Sequence, residues 1–179
     1  MPSALRKQTK RTKYHKGESM DIKTVKLIFP EGANIILGQS HFIKSVEDLY
    51  EAMVNSVPNA RFGIAFSEAS ADRLVRHAGN DDELRRMAAE NVMRIGSGHC
   101  FLIVMQDCFP INVLNAIKAV PEVCRIFCAT ANPVEVVVAR GEEAGGILGV
   151  FDGDSPVGIE DEENIACRHD FLRKIGYKM

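Results

Sequence analysis

Leu84-Arg85-Arg86-Met87-Ala88-Ala89-Glu90-Asn91-Val92-Met93-Arg94-Ile95-Gly96-Ser97-Gly98-His99-Cys100-Phe101-Leu102-Ile103-Val104-Met105 changes its period half-way. Leu84, Met87, Ala88, Val92 and Ile95 recur at helical spacing. Phe101 to Met105 is unbroken apolar sequence, which reads as a buried strand. Gly96 stands where a helix C-terminus favours a left-handed residue. Helix, glycine turn and buried strand in succession form one unit of an α/β domain. The two glycines and Ser97 leave backbone N–H groups open to an anion, and His99 follows them at the junction. Imidazole at such a place serves as base, metal ligand or phosphoryl carrier near neutral pH. A tight turn with a hydrogen-bonded structural histidine fits the same residues.

Outward from this stretch the pattern continues. Ile22 to Phe29 alternates as a half-buried strand, Pro30-Glu31-Gly32 turns, and Ile35-Ile36-Leu37 opens a second strand, which predicts a hairpin. Ser45 is placed as an N-cap with Asp48 three residues on, and Val46, Leu49, Met53, Val54 and Val57 give a helix ending before Pro58. Phe62 to Phe66 is a short buried strand, followed by a polar loop as far as Gly79-Asn80-Asp81. Asn80 or Asp81 caps the helix that runs to Ile95. Pro110 opens a helix to about Val120. Val123–Ala129, Val134–Ala139 and Ile147–Phe151 read as strands, and a last helix spans about Glu162 to Ile175. Strands alternating with helices, with hairpins added, give an α/β or mixed α+β domain.

The 179 residues suffice for one domain with a sizeable core. No apolar run approaches a membrane span. The net charge of −2 conceals a basic start, since Arg6, Lys7, Lys10, Arg11, Lys13 and Lys16 precede Met20 against only Glu18. The body is therefore acidic, which argues against nucleic acid as a partner. Residues 1–19 lack a secretory signal's apolar segment and read as a basic disordered tail or an extended start. The five cysteines show no zinc-type pairing, so a reducing cytoplasm is the expected compartment.

Three further polar groups stand at strand exits or helix starts, where α/β folds build ligand sites. Glu68 follows a buried strand. Gly79-Asn80-Asp81-Asp82-Glu83 leads a helix, where acidic residues either complement the dipole or share a Mg²⁺ ion with phosphate oxygens. Asn112 and Asn115 are three apart and share one helix face, where their amides could bond a ribose or a base edge. His77, among Arg73 and Arg76, reads as a solvated loop residue. His41 is ambiguous, and there is no Walker loop or dinucleotide fingerprint.

Gly79-Asn80-Asp81, Ile95-Gly96-Ser97-Gly98-His99, Phe109-Pro110-Ile111-Asn112-Val113-Leu114-Asn115 and Leu148-Gly149-Val150-Phe151-Asp152-Gly153 occur in this order. Together they resemble the adenosine-specific kinase family over about Met20 to Tyr177. The resemblance implies a single domain, residues 20–179, folded as a three-layer α/β/α sandwich with a mixed sheet. It also implies a homo-oligomer (trimer or hexamer), adenosine or AMP as ligand, ATP or another phosphoryl donor, and a phosphohistidine that maps to His99. On this reading Glu68 and Asp81 join His99 as catalytic groups. Gly96, Ser97, Gly98, Asn80, Asn112 and Asn115 hold substrate and phosphate, and Asp81 with Asp82 holds Mg²⁺. The alternative is a non-catalytic adenine-nucleotide-binding regulatory or scaffold protein.

Overall fold

The apolar run after the glycine turn is the middle of the molecule. In the computed structural model, which describes residues 20–179, it forms β5 (Cys100–Gln106). β5 lies third in a five-stranded sheet of order β4 (Val75–Gly79), β3 (Arg61–Ser67), β5, β2 (Asn34–Ser40), β6 (Val123–Thr130). Phe101, Ile103 and Met105 face α1 (Ser45–Ser56) and α3 (Pro110–Ala119), meeting Leu49, Met53, Val113 and Ile117. Cys100, Leu102 and Val104 face the opposite layer. That layer holds α2 (Asp82–Ile95) and a three-stranded sheet of order β1 (Asp21–Lys26), β7 (Val134–Arg140), β8 (Gly145–Asp152). A strand covered on both faces needs no polar alternation. Each fully buried side chain of this size contributes about 1.5–3 kcal/mol of burial free energy. A last helix, α4 (Glu162–Lys174), follows β8. The basic segment 1–19 lies outside the described residues.

Local chemistry sets the element ends. Asp81 caps α2 by accepting from the Leu84 N–H at 3.0 Å, and Gly96 ends it at φ 55° in the left-handed region. Gly63 lets α2 lie directly on β3, because a Cβ there would collide with the Leu84–Arg85 backbone. In α3, Pro110 takes the first helical position, and the Asn112 side chain accepts from the Phe109 N–H at 3.0 Å.

The α/β class and single domain match the expectation, with a different pairing in detail. Every neighbouring pair of strands is antiparallel, in two sheets rather than one mixed sheet. The strands joined through helices do run parallel, but one antiparallel strand separates each such pair. β5 separates β2 from β3, β3 separates β4 from β5, and β2 separates β5 from β6. Helical crossovers signal parallel strands; they do not say that those strands touch.

The expected hairpin between the first two strands is absent. β1 pairs with β7, while β2 pairs with β5 and β6. β1 is mostly exposed and β2 almost wholly buried, so the turn between them leads from one sheet to the other. The expected polar loop after β3 contains strand β4, paired with β3 from Ser67↔Val75 to Gly63↔Gly79. Its charged residues fit an edge strand, which charge protects from further pairing. His77 is exposed, as expected, but lies in β4. Ser45 is the first residue of α1 rather than its cap, and its hydroxyl donates to the Phe42 carbonyl.

Candidate functional site

The turn from Gly96 to His99 is built on Ser67, the last residue of β3. The buried Ser67 hydroxyl donates to the Ser97 carbonyl at 2.5 Å and accepts from the Cys100 N–H at 3.1 Å. The His99 N–H donates to the Ser67 carbonyl at 2.8 Å, and the Ser40 N–H donates to the His99 carbonyl at 3.0 Å. His99 is thereby held at φ 59°, a conformation uncommon outside glycine. Arg140 closes the other side, donating to the carbonyls of Gly96 at 2.6 Å and Arg94 at 2.9 Å. Its guanidinium covers the negative end of the α2 dipole. Gly145 brings β8 against this cap, since a Cβ there would lie 2.5 Å from the Gly96 oxygen.

Among the described residues, the N–H groups of Ser97 and Gly98 take no protein partner. Both residues line two cavities that meet at the turn. One, about 390 Å³, includes Ser67, Glu68, Arg73, Val75 and Glu143. The other, about 300 Å³, includes Gln39, Arg125, Phe127 and Ile147. Two open amides between guanidinium groups suit a phosphate. Phe127 and the Gln39 amide offer an apolar face and paired donor and acceptor. Burial pushes the Cys100 thiol up to about 12, so the cysteine beside His99 is an inert wall.

The profile described as adenosine specific kinase matches residues 25–178. The chain belongs to the adenosine specific kinase family. Among solved structures, the crystal structure of the PH1918 protein from Pyrococcus horikoshii OT3 is similar at 42% identity and a TM-score of 0.87, covering 90% of this chain and 99% of that one. No curated protein matches.

The His99 ring lies away from both cavities. It stacks on Phe66 with centroids 6.0 Å apart. Phe66 belongs to the core on the α1/α3 face. His99 is partly exposed there. Ser40 stands across from it in the strand register, and Glu122 is reached through the His41 N–H to the Glu122 carbonyl. The Ser40 hydroxyl and one Glu122 carboxylate oxygen are buried without partners, while Lys44 pairs with the other Glu122 oxygen and with Asp48.

The remaining expected site residues are spread out. Glu68 reaches the larger cavity but is committed: Arg76 Nε donates to it at 2.9 Å and the Leu74 N–H at 3.0 Å. Those bonds hold its carboxyl below the usual range. Asp81, Asp82 and Asn80 stand at the far end of α2, whose fourteen residues span ~21 Å. Asp81 accepts from the Leu84 N–H and from Arg61 at 2.6 Å, which lowers its pKa. Asn80 is spent on the backbone, accepting from Phe62 N–H at 2.8 Å and donating to the Ala60 carbonyl at 2.7 Å. Asn112 caps α3, and Asn115 is exposed on α3, on the opposite face of the sheet from α2. The expected Mg²⁺ pair does not fit: both Asp81 oxygens are engaged, and Asp82 is exposed and paired with Arg85. Among the described residues no group of three or more metal-binding side chains converges. No helix of these residues is long and apolar enough to cross a membrane.

Ser67, Arg140, Gln39 and Arg125 shape the turn and its cavities and were not singled out from the sequence. Only Ser67 carried a local signal, as the polar residue ending a buried strand. The other three reach the turn through long-range pairing alone.

Proposed function

We propose that the chain is a phosphotransferase acting on adenosine, working as a homo-oligomer, with His99 as the phosphoryl carrier. Family membership supports adenosine as the substrate class. One structural observation carries the rest: the turn holds His99 at φ 59° with its ring partly exposed, on the side where the Ser40 hydroxyl and one Glu122 oxygen are buried without partners. Backbone strain held by surrounding structure is characteristic of working sites. In the first half-reaction a neutral ring nitrogen attacks the terminal phosphorus of ATP or another donor; the N–P bond forms as the bond to the leaving oxygen breaks. In the second, a ribose hydroxyl oxygen of adenosine takes the phosphoryl group, the N–P bond breaks, and the hydroxyl proton passes to the released imidazole or water. The ring is approached from the side of Phe66, Ser40 and Lys44. Any Mg²⁺ travels on the donor's phosphates, since among the described residues no three metal-binding side chains converge.

A second reading has its own support. Glu68 and Asp81, the carboxylates expected to assist His99, are both tied up as ion pairs. That favours a protein that binds adenine nucleotides without turnover. Incubation with a labelled donor separates the two. Catalysis predicts label on adenosine, and one added phosphoryl mass per chain that is stable in alkali and labile in acid. Both are lost in His99→Ala and kept in His41→Ala and His77→Ala. Mass retained by folded His99→Ala removes the carrier role from His99; binding without label transfer establishes the second reading.

A further inference from the structure

Beyond Asp152 the chain leaves the body. From Phe151 to Met179 every residue is exposed except Ile165 and Leu172, which are half-buried. α4 buries no residue at all. Its ends are nevertheless well specified. The Asp161 carboxylate accepts from the Asn164 N–H at 2.9 Å in a capping box, and Arg168 pairs with Glu160 at 2.7 Å. The root is fixed too, by the Gly153 N–H on the Pro133 carbonyl and by Asn132 on Asp152. Large apolar side chains stand in solvent: Val157 and Ile159 almost entirely, Phe171 at 59%. A 13-residue helix with no tertiary packing is marginal in water. Yet the family match runs through it to residue 178, so the arm is part of the domain. At 27 residues, 153–179 has the size of one side of a standard protein interface.

A complementary surface lies on the same chain. A cavity of about 630 Å³ runs beside the end of β1 and is lined by Leu27, Ile28, Phe29, Pro30 and Ala33. Ile28 is 55% exposed on its rim. Lys26 and Glu31 stand at its edge, and the Lys26 charge is opposite in sign to the run Glu160-Asp161-Glu162-Glu163 that opens α4. Every copy thus carries both an apolar arm with an acidic start and an apolar groove with a lysine at its edge.

We propose that residues 153–179 form an exchange arm that docks its apolar side chains in the Leu27–Ala33 groove of a second copy of this chain. This rests on the homo-oligomer reading above and names the element and the surface that build it. Light scattering with size exclusion tests it on three full-length chains: the wild type, an arm variant (Val157→Asp, Ile159→Asp, Phe171→Asp) and a groove variant (Ile28→Asp). All four positions are exposed, and circular dichroism checks the fold. The wild type is expected to be an oligomer and each variant a monomer. An equimolar mixture of the two variants regains a two-chain species, because an intact arm there meets an intact groove. A monomeric wild type overturns both the arm and the oligomer reading. If either variant keeps the wild-type mass, or the mixture stays monomeric, the arm proposal falls while the oligomer reading stands. Diluting the wild type gives a readout free of substitutions. Hydrogen exchange at α4 should be slow in the assembly and quicken as it dissociates, with β5 still protected; fast exchange at α4 within the assembly overturns the proposal.

Discussion

Among the described residues, His99 is one of four non-glycine residues with positive φ, with Ala71, Arg73 and Asp107. Ala71 and Arg73 belong to the β3–β4 connection, and Arg73 lines the larger cavity, so strain gathers around the turn. This makes a clean comparison possible. His99→Ala and His99→Gly both lose the ring and its stacking on Phe66, but only glycine relieves the backbone. His99→Gly should therefore be more stable than His99→Ala by about 1 kcal/mol in urea unfolding, with both unable to accept a phosphoryl group. Gly98 has a steric reason to lack a side chain: its Cβ would stand 2.8 Å from that of Ala69. Gly98→Val should cost about 1–3 kcal/mol through overpacking and also weaken adenosine binding by calorimetry. An unchanged Kd would place the ligand elsewhere.

α2 is the element on which the site depends, because its C-terminal cap is the start of the turn. Two side chains hold it in place. Asn91, buried, replaces a strand partner for Ile28: it accepts from the Ile28 N–H at 2.8 Å and donates to the Ile28 carbonyl at 2.6 Å. Asn91→Ala strands both groups and is expected to destabilise by about 1–3 kcal/mol. At the N-terminus, Asp81→Ala should cost about 1 kcal/mol and Asp81→Asn clearly less, since asparagine caps nearly as well as aspartate. Thermal unfolding of the three variants checks the order. Equal losses for Asp81→Ala and Asp81→Asn would mean that the ion pair with Arg61, not the cap, sets the cost.

Over the whole molecule, two carboxylates brace the sheet edge and the helix start, and both have depressed pKa values. Glu68 is lowered chiefly by the Arg76 hydrogen bond, and Asp81 by the Leu84 amide and then Arg61. A group depressed in the folded state adds stability above its unfolded value and loses it as pH falls through the folded one. Stability should therefore hold down to about the ordinary carboxylate range, 4.5 for Glu68 and 3.8 for Asp81, and decline below it. Urea midpoints from pH 7 to pH 2.5 measure this. In the double variant Arg61→Ala, Arg76→Ala the midpoint should start lower at pH 7 and fall less on acidification. An unchanged acid slope would show that other carboxylates dominate.

Periodicity and capping by themselves set α2, its left-handed stop at Gly96, the buried strand after it and the capped start of α3. These depend on neighbours within a few residues, where sterics and hydrogen bonding act on the local chain. The family is legible in four ordered strings, and His99 stands out already at its glycine turn. Partnership was not legible. Ile22 and Ile35 look alike as strand residues but enter different sheets, and Val75–Gly79 reads as polar because its partners lie on one side only. Asp81 and Asn80 look like ligands in the sequence, and three-dimensional pairing commits Asp81 to the α2 cap and Arg61, and Asn80 to the Ala60–Phe62 backbone, ~21 Å along α2 from His99. Arg140 meets Gly96 across more than forty residues. Strand order, the cavities at the turn and the side to which the His99 ring points are decided by packing between distant segments, and that is a property of the tertiary structure alone.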